Sequence, residues 1–94
     1  MYFVYILKSL KDKRTYIGYT TNIKNRLKEH NSGKVLATKH RRPFEILLVE
    51  KCKSLQEAKK RERYWKSGAG RRNLKRIFQG FPPRFGKRGE ARSK

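Results

Sequence analysis

Three segments of this chain carry polar side chains where packing residues are expected, and together they hold groups suited to acid-base and phosphate chemistry. The stretch "RTYIGYT", Arg14 to Thr20, reads as a buried β-strand yet includes Tyr16, Gly18 and Tyr19. Ile23, Arg26, Leu27 and His30 are spaced i, i+3, i+4 and i+7, which sets a guanidinium and an imidazole on one helical stripe with two apolar anchors. In a second helical pattern, Leu55, Ala58 and Trp65 share a sector of about 80°, and Glu62 points into the middle of it. A carboxylate on a core-facing stripe is costly unless paired or metal-bound. Taken singly, Arg26 reads as a snorkelling surface cation, His30 as a hydrogen-bonded core histidine and Glu62 as half of a salt bridge. Polar intrusions on a tyrosine-rich hairpin and two helices of one small scaffold suggest instead a common site.

The elements that must position these residues are legible in outline. Tyr2 to Ser9 and Thr15 to Tyr19 are β-prone and flank a charged turn, Leu10 to Arg14, so they read as a hairpin. Thr20, Thr21 and Asn22 offer N-cap oxygens to a helix from about Asn22 to Asn31, and Ser32-Gly33 stops it. A basic loop, Lys34 to Arg42, ends at Pro43, and "FEILLVEKC" follows as a third strand whose apolar run suggests a central place. Ser54 and Glu57 form a capping box for a helix reaching about Lys66; Ser67 to Gly70 break it, and "RRNLKRIF" forms a last short helix. The order β-β-α-β-α-α predicts an α+β fold, a small antiparallel sheet with helices packed against it.

The 94 residues suffice for one modest core. Lys and Arg number 27 against 7 Asp and Glu, a formal charge of +20 that self-repels unless a polyanion is near, so nucleic acid is the expected partner. No apolar run approaches a membrane span and "MYFVYILKS" lacks signal-peptide features, so a cytoplasmic protein with no membrane role is expected. With Cys52 as the sole cysteine, an internal disulfide and a cysteine-built zinc site are excluded, and with His30 and His40 as the only histidines a structural transition-metal site is disfavoured. Residues 1–80 form the expected domain; 81–94 turn to Pro, Gly and Arg and are expected to be a flexible basic tail.

At these residues the sequence resembles the GIY-YIG nuclease superfamily, and its small single-domain bacterial members in particular. The first motif is "FVY", Phe3 to Tyr5, with Phe3 where the family name has Gly; the second is "YIG", Tyr16 to Gly18. The likeness continues through "NRLKEHN", "TKHRRPFEIL" and "EAKKRERYWK" over residues 2–75. It implies a three-stranded antiparallel sheet flanked by helices and a metal-dependent endonuclease, with DNA a more natural substrate than RNA. By that resemblance Tyr5, Tyr16, Arg26, His30 and Glu62 are catalytic, and Glu62 holds Mg²⁺ or Mn²⁺. One tyrosine is the base, its phenolate favoured by the cation and Arg26. Gly18, Lys39, Arg41, Arg42, Lys66, Arg71, Arg72 and Asn73 are expected to meet nucleic acid. The alternative is a non-catalytic binder of RNA or ribosomal particles on the same scaffold, and the sequence leaves the oligomeric state open.

Overall fold

Antiparallel pairing of β1 (Tyr2–Ser9) with β2 (Thr15–Thr20) builds the expected hairpin in the computed structural model, which describes residues 1–80. The tail expected at 81–94 lies outside the described residues. Side-chain chemistry shapes the hairpin turn. Ser9 Oγ accepts from the amides of Lys11 and Asp12, both at 3.1 Å, and Asp12 Oδ1 accepts from that of Arg14 at 2.9 Å.

β3 (Phe44–Cys52) pairs antiparallel with β1, giving the strand order β2-β1-β3. The apolar run of β3 suggested a central strand, but the centre is β1. Its consecutive residues Val4, Tyr5, Ile6 and Leu7 are all buried, as a strand covered on both faces requires, whereas Ile46 and Val49 of β3 are exposed. The register of β1 against β3 shifts between Ile6 and Leu7.

The helices start and stop on the residues whose side chains can satisfy free backbone groups. In α1 (Ile23–Ser32), Asn22 Oδ1 accepts from the Asn25 amide at 3.0 Å, and Gly33 closes the helix in the left-handed region at φ 85°. In α2 (Leu55–Lys66), Ser54 Oγ accepts from the Glu57 amide at 3.1 Å and the Glu57 carboxylate from the Lys53 amide at 2.6 Å. Ala58 and Trp65 of the expected stripe are buried, but Leu55, in the first turn, is 37% exposed.

The break expected over Ser67 to Gly70 contracts to Ser67 alone. Its Oγ accepts from the Gly70 amide at 3.3 Å and so caps α3 (Gly68–Phe78), which begins earlier than the sequence suggested. Gly70 serves close approach rather than helix breaking: a Cβ there would fall 2.5 Å from Trp65 Cα and closer still to the Tyr64 carbonyl oxygen.

The chain divides into two compact units. Met1–Arg63 holds the sheet, α1 and most of α2, which Arg61 ties to β3 through a bidentate pair with Glu50 at 2.9 and 2.8 Å. The second unit begins at Tyr64 and holds the end of α2 and all of α3, where Asn73 Nδ2 donates to the Tyr64 hydroxyl at 3.2 Å.

Candidate active site

Cross-strand register places the first groups of the site. Tyr5 lies opposite Gly18 and Leu7 opposite Tyr16, so all four share one face of the hairpin. Tyr5, Leu7 and Phe44 form a core cluster on which Tyr16 and the α1 residues Ile23 and Leu27 pack. Because Ile23 and Leu27 dock α1 there, Arg26 and His30 on the same stripe are carried to Tyr5, as the i, i+3, i+4, i+7 spacing requires.

Four of the five expected catalytic side chains therefore converge. The Tyr5 hydroxyl lies 3.0 Å from His30 Nε2 and accepts from Arg26 Nε at 3.2 Å. Tyr16 is tied in through its ring, with centroids 4.9 Å from His30 and 6.4 Å from Tyr5. Glu62 is contributed separately by α2, where it is partly buried. Among the described residues no three His, Cys, Asp or Glu side chains cluster as a metal cage.

Gly18, expected to meet nucleic acid, has a steric reason within the hairpin itself. A Cβ at this position would sit 2.6 Å from the Tyr5 hydroxyl oxygen, so the missing side chain makes room for the phenol laid across the hairpin.

Burial dominates the electrostatics. Tyr5 is 2% exposed and His30 fully buried. Desolvation raises the Tyr5 phenol above its ordinary 10.0, and the hydrogen bond and charge of Arg26 offset this only in part. Arg26 favours the phenolate, as expected, but losing water outweighs this one cation and the phenol stays raised. Desolvation, with the Arg26 charge second, lowers the His30 imidazole below 6.5. Both groups are neutral at pH 7. The guanidinium is held more firmly protonated than usual, through its bond to Tyr5 first and then a 2.9 Å pair with Glu29.

Three participants escaped the sequence reading. Glu29 shares Arg26 with Tyr5, and its only signal was the i, i+3 spacing. Thr38, quoted within the family stretch and given no role, is fully buried with Oγ1 2.8 Å from His30 Nδ1. Asn31 pairs its amide with both backbone groups of Phe44, at 2.7 and 3.2 Å, and so staples α1 to β3.

The cations expected to meet nucleic acid divide into pinned and exposed. Arg41 donates to Asp12 at 2.8 Å and to the Thr15 carbonyl at 3.3 Å, which fastens the 3₁₀ turn Lys39–Arg41 to the hairpin. Its guanidinium lowers the Asp12 carboxyl to about 2. Lys39 is partly buried, while Arg42 is exposed and donates to the Lys39 carbonyl at 2.8 Å. Lys66, Arg71 and Arg72 are exposed in the second unit. Asn73 is only 3% exposed and held by Tyr64, an internal tie rather than a surface presented to a polyanion.

A tyrosine lodged over a hairpin glycine is met by an arginine and a histidine one helical turn apart, in a chain that matches the GIY-YIG catalytic domain. The model of that family matches residues 1–76, and the chain belongs to the GIY-YIG family. It is similar to a UPF0213 protein of Syntrophus aciditrophicus, 44% identical over 82% of this chain and 90% of that protein. A UPF0213 protein of Staphylococcus haemolyticus is 42% identical over 81% of this chain and 93% of the relative. Among solved structures, a UPF0213 protein of Bacillus halodurans determined in solution is 30% identical, with a TM-score of 0.51 over 99% of this chain and all of that one.

Proposed function

We propose that this chain is a metal-dependent endonuclease that hydrolyses nucleic-acid phosphodiester bonds, DNA above RNA. The observation that carries the reading is the phenol of Tyr5 held between a cation and a neutral imidazole, Arg26 at 3.2 Å and His30 at 3.0 Å. Attack on a phosphodiester requires a water to lose a proton and a phosphoryl group to gain negative charge.

Tyr5 is the tyrosine suited to the proton. As the attacking water gives its proton to the Tyr5 oxygen, the phenol's own hydrogen passes to His30 Nε2, so that Arg26 steadies the phenol throughout, no free phenolate stands in the buried site, and the imidazolium holds the charge. Tyr16 orients water or phosphate beside the imidazole ring. Arg26 supplies a planar fork for a phosphate oxygen in competition with Glu29.

One partly buried carboxylate suits a hard cation that keeps most of its water, so Glu62 fits a Mg²⁺ or Mn²⁺ ligand. When bound, such an ion neutralises charge developing on the phosphate. The +20 charge supports a polyanionic substrate.

Glu62→Gln keeps the shape of the side chain and removes its charge. Mg²⁺-dependent cleavage of labelled DNA and RNA should be lost, while DNA affinity holds or rises and the melting temperature changes little. A destabilised variant that still cuts when folded removes Glu62 from the site. A wild-type chain that cuts none of a panel of duplexes, single strands, nicks and branches removes the nuclease reading.

A further inference from the structure

A line of hydrogen bonds, buried at its centre and part-buried at its ends, joins Arg26, Tyr5, His30 and Thr38 and ends at the Val35 carbonyl, which lies 3.5 Å from Thr38 Oγ1. Its two ends are fixed in sense. A guanidinium Nε–H can only donate and a carbonyl oxygen can only accept, while the phenol, imidazole and threonine hydroxyl between them can each do both. The arrangement that fills every link runs one way: Arg26 to Tyr5, Tyr5 to His30 Nε2, His30 Nδ1–H to Thr38, Thr38 to Val35. Reversing the histidine would leave the phenolic hydrogen of Tyr5 without its acceptor at His30, an expensive outcome for a hydroxyl on a side chain 2% exposed, and would turn the threonine hydrogen away from the Val35 carbonyl, which keeps the Thr38 amide.

We propose that Thr38 is a positioning residue that holds His30 in the Nδ1–H tautomer, leaving Nε2 bare to receive the Tyr5 proton. The use made of that proton rests on the nuclease reading above; the tautomer does not. Thr38 is itself well placed to impose direction. Its amide bonds the Val35 carbonyl at 3.1 Å, and the turn that follows is clamped to the hairpin through Ser9 Oγ to the Arg41 carbonyl at 2.6 Å and the Leu10 amide to the Pro43 carbonyl at 2.8 Å. A hydroxyl on a fixed backbone with an acceptor of its own accepts from Nδ1 rather than donating to it. When Tyr5 gives up its proton, the imidazolium that forms already has its second N–H satisfied, and no other link need turn round.

Nitrogen-15 spectra of the full chain test this directly, because His30 and His40 are the only histidines. At neutral pH the wild type should show His30 protonated at Nδ1 and bare at Nε2. Thr38→Val preserves shape and removes the hydroxyl, and the Nδ1–H tautomer should give way to a mixture or to Nε2–H; Thr38→Ser should restore it. Cleavage by Thr38→Val should fall on the order of a hundredfold and recover in Thr38→Ser. A wild-type His30 carrying its proton on Nε2 overturns the proposal, whether or not Thr38→Val folds. So does a folded Thr38→Val that keeps the wild-type tautomer. The expected tautomers in a chain that cuts nothing would uphold the role of Thr38 and overturn the nuclease reading alone.

Discussion

A buried histidine between a phenol and a threonine hydroxyl makes a defined demand on pH. Burial lowers the folded His30 below the 6.5 of an unfolded histidine, so between those two values the unfolded chain binds the extra proton. The stability due to neutral His30 is therefore complete above about pH 6.5 and is lost as pH falls toward the lowered value. Urea denaturation at steps from pH 7.5 to 5 should show this decline, with a slope approaching ~1.4 kcal/mol per pH unit where the proton difference is one. His30→Gln should remove that component, leaving the part due to other groups. Parallel curves for the two proteins would mean that His30 is not buried neutral. Tyr5 acts at the opposite end of the scale: its phenol is raised, so its contribution is intact below 10.0 and is lost above.

At the scale of elements, two glycines mark where parts of the chain must touch. Gly18 admits the Tyr5 ring across the hairpin, and Gly70 admits the start of α3 against the backbone of Tyr64 and Trp65. The second is the less forgiving, since a displaced side chain can turn whereas a displaced backbone must separate two helices. Gly70→Ala should cost ~3 kcal/mol and lower the melting temperature by more than ten degrees. Gly68→Ala, whose Cβ would lie 3.6 Å from the end of Arg72, is its control and should be close to neutral. Equal melting temperatures for the two variants would show that the junction gives way easily. Asn31 works at this scale too, since its amide joins the last turn of α1 to the first residue of β3.

For the whole molecule the dominating quantity is charge. An excess of 20 positive charges on 94 residues makes association with a polyanion release many counterions. If about six phosphates are neutralised, log K for duplex DNA should fall against log salt with a slope of about −5. Fluorescence anisotropy from low to physiological salt measures it, and a slope near zero would remove nucleic acid as the partner. Among the described residues no helix is long and apolar enough to cross a membrane.

Local rules were enough for the elements and much of the site. Hairpin, caps, strand order in the sequence and the stripe of Ile23, Arg26, Leu27 and His30 all follow from periodicity and from side chains bonding their near neighbours, interactions that span only a few residues. What the sequence could not weigh is desolvation. Whether Arg26 or burial governs the Tyr5 phenol depends on how much water the packed sheet and α1 remove, and burial prevails. Nor could spacing reveal that β1 rather than β3 is central, since both are apolar and only the pairing decides which is covered on both faces. Thr38 meets His30 because the turn after it is fastened to a hairpin some thirty residues earlier in the chain, by Arg41 to Asp12 and Ser9 to the Arg41 carbonyl. A contact closed over that length of chain exists only once the tertiary structure has formed.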